Sequence, residues 1–160
     1  MDLYDELLAL IDALNNQAVD YALCGGIAVA FHGYPRFTKD IDLLVRAEDL
    51  DEVKRAIRPL GFTLPAQPLP FDAGRPTERK IHRVSKVREG ELLTVDLLLV
   101  NPPLEAVWED REVFEWKGRQ VQLVSRGGLA TMKRMAGRDQ DLLDLKKLGT
   151  SDEDDTDGSE

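Results

Sequence analysis

The chain has 160 residues, of which 42% are hydrophobic and 32% charged, enough for one compact soluble domain with a core and too few for two. Its net charge is −9, but residues 151–160 hold six acids and no base, so residues 1–150 carry −3 (24 acids against 21 bases), which argues against broad nucleic-acid binding and marks the tail as disordered. The single cysteine, Cys24, excludes an intramolecular disulfide and a cysteine-based metal site, and the absence of a long apolar run or a basic leader leaves no membrane span or signal peptide, so a cytoplasmic location is expected.

Leu3, Leu7, Leu10, Ile11 and Leu14 recur at helical spacing and predict an amphipathic helix over 3–16. Residues 19–24 read as a short buried strand that ends at Gly25-Gly26, and 27–31 as a short helix after the glycines. Residues 32–38 are a loop, and 40–45 the next strand. A helix over 47–60 has acids early (Glu48, Asp49, Asp51, Glu52) and bases late (Lys54, Arg55, Arg58), as the helix dipole prefers. Residues 61–77, with Pro65, Pro68, Pro70 and Pro76, form a long loop. Strands over 80–87 and 91–100 make a hairpin around Arg88-Glu89-Gly90. Pro102 or Pro103 opens a short helix to Trp108. Strands over 113–116 and 120–124 make a second hairpin around Lys117-Gly118, and 129–148 closes the chain as one helix with Gly137 as its weak point. The pattern predicts an α+β (α/β) fold, a small mixed β-sheet flanked by helices, in a single domain over 1–150.

Three aspartates stand out. Asp40 and Asp42 are two apart on one strand, so they project side by side from the same face. Adjacent carboxylates repel unless something positive lies between them, and a divalent metal with oxygen ligands is the simplest remedy. Asp96 is a lone charge inside the apolar strand 92–100. Three carboxylates on neighbouring strands, beside a glycine turn that can approach phosphate, suggest metal-dependent phosphoryl or nucleotidyl transfer. Bland readings stand beside these. Asp40 and Asp42 could be a cap and a solvated residue, Asp96 the exposed member of its strand, and Arg36 and Lys39 mere ion-pair partners. Lys133, Arg138, Asp141 and Asp144 could be a solvated helical face. In one unbroken helix Lys133 and Asp144 lie about 20° apart around the axis, and Asp141 about 80° from Lys133. His32 and His82 show no metal-ligand spacing, and His32 is expected in a structural hydrogen bond. Cys24 reads as a small buried residue, and Trp108, Phe114 and Trp116 as core.

The full constellation, Gly25-Gly26, a thirteen-residue spacer, Asp40-Ile41-Asp42 and a later strand-borne Asp96, resembles the nucleotidyltransferase superfamily with its polymerase-beta-like fold. His32-Gly33 and Arg36-x-Thr38 before the aspartates look like the branch of AbiEii-type toxins and lincosamide-type antibiotic nucleotidyltransferases. The run Leu129-Ala130-Thr131-Met132-Lys133…Arg138-Asp139-Gln140-Asp141-Leu142-Leu143-Asp144-Leu145 is similar to the helix that completes the site in such proteins. The resemblance spans about residues 19–148. It implies that Asp40, Asp42 and Asp96 hold Mg2+ or Mn2+ and carry the catalysis, with Asp96 also able to accept the proton of the attacking hydroxyl. It implies nucleotide contacts at Gly25, Gly26, Arg36, Thr38, Lys39, Lys133, Asp141 and Asp144. The reaction implied is transfer of a nucleoside monophosphate from a nucleoside triphosphate to a hydroxyl, with release of pyrophosphate. A small molecule, a tRNA end and a partner protein all fit as acceptor, and a homodimer fits as the assembly. The Pro-rich loop 61–77 and the basic hairpin bearing Lys80, Arg83, Lys86 and Arg88 are the expected acceptor-side elements. The alternative is a toxin–antitoxin or regulatory component, paired with a cognate toxin or antitoxin and acting by nucleotide or protein binding.

Overall fold

The computed structural model describes residues 2–34, 38–65, 69–71, 79–137 and 139–148, with the side chains of 69–71, 79–80 and 139–142 outside that description. Helix α1 (Leu3–Asn16) starts where Asp2 accepts the amides of Tyr4 and Asp5, and it buries Leu7, Leu10, Ile11 and Leu14. Strand β1 (Ala22–Cys24) runs directly into α2 (Gly25–Phe31), so the glycine pair is the first turn of the helix rather than a gap before it. Strand β2 (Asp40–Val45) follows, then α3 (Leu50–Ile57), flanked by 3-10 turns at Ala47–Asp49 and Arg58–Leu60. The helix expected over 47–60 is thus trimmed at both ends, and Pro59 together with left-handed Gly61 (φ 103°) accounts for its close.

The loop expected over 61–77 holds two short strands instead, β3 (Leu64–Pro65) and β4 (Leu69–Phe71), both paired to β5 (Arg79–Arg88). They lie at the edge of the sheet, where a proline costs no ladder hydrogen bond. Strand β6 (Glu91–Leu99) returns from β5 as a hairpin. Helix α4 (Glu105–Glu109) is entered through a 3-10 turn at Pro102–Leu104, and β7 (Glu112–Trp116) and β8 (Arg119–Leu123) form the second hairpin. The single helix expected over 129–148 is two: α5 (Arg126–Ala136) and α6 (Asp139–Leu148). Gly137 ends α5 at φ 67°, a left-handed conformation that stops the helix. At the other end Ser125 accepts the Gly128 amide at 3.0 Å and lets α5 start through two glycines that periodicity alone would leave out.

The sheet order is β3-β5-β6-β2-β1-β8-β7, with β4 beside β5 as well. Pairs β2–β6 and β1–β8 are parallel and the others antiparallel, so the sheet is mixed as expected. Strand alternation separates two faces. Ile41, Leu43, Val95 and Leu97 are fully buried on one, while Asp40, Asp42 and Asp96 occupy the other. Lys86, on the face opposite Arg83, donates to Glu6 of α1 and to the Leu60 carbonyl. Helix α1 therefore backs the apolar face, with α3 packed alongside it. Helices α2 and α4 both pack on α5. Cys24 and Trp108 are buried, whereas Phe114 and Trp116 are only half-buried, in ring contact with Phe31. Among the described residues, no helix is long and apolar enough to cross a membrane. The acidic tail expected to be disordered lies outside the described residues.

Candidate active site

Strand β2 lies between β1 and β6, and its register fixes the site. Asp42 is opposite Cys24 on one side and Asp96 on the other, and Asp40 is opposite Thr94. Side chains at paired positions share a face, so Asp40, Asp42 and Asp96 converge on one patch of the sheet. Asp40 is half-buried. Its carboxyl is held above the usual range, first by burial and then by the negative charge of Asp96, with Arg83 and Lys39 pulling the other way. The two expectations for Lys39 thus meet the same fact: an exposed ammonium close enough for its field to reach Asp40. Thr38 donates its hydroxyl to the Asp40 carbonyl at 3.3 Å and so ties down the entry to the strand.

Gly25 explains why the glycine pair precedes this patch. Its φ is +67°, and a Cβ there would lie 2.0 Å from Asp42 Oδ2 and 2.9 Å from Asp42 Cβ. No side chain fits without expelling the Asp42 carboxylate. Gly26 is buried in the first turn of α2.

In the sequence Arg83 is one base among several on the basic hairpin, yet in the fold it is integral to the patch. Its Nε donates to Asp96 Oδ1 at 2.8 Å and its Nη2 to Oδ2 at 3.1 Å, a fork on a carboxylate that is 8% exposed. The guanidinium is held above its ordinary range, chiefly by that hydrogen bond, with the charges of Asp96, Asp40 and Asp42 adding to it. The signal was present in the sequence. A hairpin that pairs Arg88 with Glu91 also pairs Arg83 with Asp96. The Ser85 and Thr94 hydroxyls, 3.2 Å apart, continue the same face.

Among the described residues, no three His, Cys, Asp or Glu side chains are gathered as they stand into a group that could hold a metal ion. Asp96 is engaged with Arg83 instead. The donor chemistry still fits a hard divalent cation: three carboxylates on adjacent strands, Asp40 raised by burial and then by the charge of Asp96, and a glycine cradle behind Asp42.

The C-terminal candidates are placed differently from expectation. Lys133 and Asp144 meet across the α5–α6 break, not along one helix, with Lys133 Nζ 3.2 Å from Asp144 Oδ2 and side chains 6% and 0% exposed. Arg36 and the Asp141 side chain lie outside the described residues. His32 makes the expected structural hydrogen bond, Nε2 to the Val124 carbonyl at 3.0 Å. Lys86 is not an acceptor-side residue, because it is buried on the opposite face. Lys80 lies outside the described side chains.

A family model described as uncharacterised nucleotidyltransferase matches residues 1–127. No curated protein sequence matches significantly. Among solved structures, a Thermotoga maritima protein assigned as a nucleotidyltransferase superimposes with a TM-score of 0.59 at 18% identity, over 88% of each chain. The lincosamide antibiotic adenylyltransferase LnuA, with lincomycin bound, gives 0.56 at 20% identity over 91% of this chain and 96% of its own. ANT(2")-Ia in complex with adenylyl-2"-tobramycin gives 0.53 at 15% identity over 90% and 86%. At such identities these neighbours establish the fold, and the family model, spanning most of the chain, establishes the family. The chain belongs to the nucleotidyltransferases.

Proposed function

We propose that the protein is a divalent-cation-dependent enzyme that moves a nucleoside monophosphate group from a nucleoside triphosphate to an acceptor hydroxyl and releases pyrophosphate. The observation that carries this reading is the register that sets Asp42 opposite Asp96, with Asp40 on the same face and Gly25 leaving room for the Asp42 carboxylate. Asp40 and Asp42 would hold Mg2+ or Mn2+, and Asp96 completes the set. When bound, the cation neutralises phosphate charge and favours ionisation of the attacking hydroxyl.

The chain's own residues do the rest. Gly25 and Gly26 present backbone without side chains where the triphosphate approaches. Lys39, exposed beside Asp40, supplies positive charge to a phosphate oxygen. The acceptor oxygen attacks the α-phosphorus, and the bond from that phosphorus to the bridging oxygen of the β-phosphate breaks. The hydroxyl proton passes to an Asp96 oxygen, each of which retains acceptor capacity beyond its Arg83 hydrogen bond. Lys133 and Asp144, buried against each other, build the α5–α6 wall rather than reach for a phosphate. The acceptor we favour is a small molecule. Two structural neighbours were captured with lincomycin and with adenylyl-2"-tobramycin, and residues 1–150 carry a net negative charge that disfavours a polyanion.

The test is a transfer assay with α-labelled nucleoside triphosphates, Mg2+ or Mn2+, and a cell extract separated into RNA, protein and small-molecule fractions. Label should enter the small-molecule fraction and fall by about a hundredfold or more with Asp40→Asn. Label in no fraction, or equal labelling by the variant, would overturn the proposal. Label in the RNA or protein fraction would overturn the acceptor class alone.

A further inference from the structure

Arg83 has no step in the transfer, yet among the described residues it is the basic side chain that hydrogen-bonds directly to the aspartate patch. Both Asp96 oxygens accept from it, and the charges of Asp40 and Asp42 reach it as well. Three carboxylates on one face of a sheet repel one another, and their repulsion is strongest where burial weakens screening. Arg83 is 39% exposed, so it is anchored through its fork while its remaining donors stay near solvent.

We propose that Arg83 is the resident counter-cation of the Asp40–Asp42–Asp96 cluster: it holds the cluster together in the metal-free protein and, by its like charge, sets how tightly a divalent cation binds there. This rests on the reading of the cluster as a metal site. A guanidinium suits the task because it stays charged and its planar fork fixes the carboxylate in one orientation. A divalent cation arriving at the cluster meets a positive charge already bound to one of its ligands, and its affinity is lowered accordingly. The same charge offsets part of the repulsion among the three carboxylates in the metal-free protein. Arg83 is thus a positioning residue for Asp96 and a brake on metal affinity.

The test is Mn2+ titration, followed by the electron paramagnetic resonance signal of free Mn2+, on the full chain without nucleotide. The variants are Arg83→Gln, Arg83→Lys and Asp42→Asn, with metal-free and Mn2+-saturated thermal unfolding measured in parallel. Arg83→Gln should bind Mn2+ about tenfold more tightly than wild type. It should also melt lower without metal and recover that deficit at saturating Mn2+. Arg83→Lys, which keeps the charge, should stay within about threefold of wild type. If Arg83→Gln is unfolded without metal, refolding driven by Mn2+ supports the proposal and failure to refold overturns it. Equal or weaker Mn2+ binding by Arg83→Gln, or equal tightening by Arg83→Lys, would overturn the role of Arg83 and leave the metal site standing. Absence of Mn2+ binding in folded wild type, or unchanged binding by Asp42→Asn, would overturn the metal site and the proposal with it.

Discussion

A methyl group at position 25 would lie 2.0 Å from Asp42 Oδ2, at a backbone φ of +67° that alanine adopts only at a cost. Gly25→Ala should therefore lose about 1–2 kcal/mol to the left-handed conformation and more to the clash. Urea unfolding of a double-mutant cycle separates the two: with Asp42→Ala already in place, the clash with the carboxylate is gone and the loss should shrink toward the first, leaving beyond it only the contact with the residue-42 Cβ at 2.9 Å. An equal loss in both backgrounds would mean that Gly25 serves the turn and not the carboxylate. Asp40 carries the opposite kind of constraint. Its folded pKa is raised by burial and by Asp96, so its protonated form adds stability below the ordinary carboxylate range, and that stability is lost as pH rises through the folded pKa. Asp40→Asn escapes the loss. It should melt above the wild type at neutral pH without metal, by less than about 1 kcal/mol after solvent screening and so at most about 3 °C. The difference should shrink as pH falls and vanish only below the ordinary Asp pKa of about 3.9. These residues were legible because a glycine pair and two aspartates two apart are local signals. Arg83 was not singled out because its meaning is a cross-strand partner that only the register of the β5–β6 hairpin supplies.

Elements were legible where one period ruled from end to end. The stripe of Leu7, Leu10, Ile11 and Leu14 sets α1 at Leu3–Asn16, and β2 falls at Asp40–Val45, both at the residues the pattern picks out. They were not legible where a local term competes with the period. A helix tolerates an internal glycine at about 1 kcal/mol, so the sequence over 129–148 could be one helix or two, and the choice belongs to tertiary packing. Gly137 takes the left-handed conformation, and the turn lets Asp144 fold back onto Lys133. That pair is buried, so removing one member takes the ion-pair partner from the other's buried charge. Lys133→Met should cost about 3 kcal/mol in urea unfolding. Lys133→Met with Asp144→Leu should recover at least half of it, because the buried charge is then gone as well. If the double variant is no better than the single one, the ion pair is not what holds α6 against α5.

Across the whole molecule, the sheet divides labour between its faces, and β5 carries both. Arg83 and Lys86 are three residues apart, so alternation sends one to each side. Arg83 binds Asp96 on the carboxylate face, while Lys86 reaches Glu6 of α1 and the Leu60 carbonyl on the packed face. Composition cannot tell these two cations apart, since both look like the basic rim of one hairpin, but their surroundings differ. Lys86 and Glu6 have side chains 11% and 12% exposed, and Lys86→Met would leave a largely buried carboxylate and a carbonyl without the donor they share. The expected cost is about 3 kcal/mol in urea unfolding, part of which Glu6→Gln should restore by removing the charge. Mn2+ affinity of Lys86→Met should stay within about twofold of wild type, because its side chain leaves the sheet away from the aspartates and a change of fold stability does not alter the field at the cluster. Arg83→Gln should do the converse, changing Mn2+ affinity at once. If Lys86→Met moved Mn2+ affinity as far as Arg83→Gln does, the two faces would be coupled through β5, and the cluster would depend on the packing of α1 and not on its own charges alone.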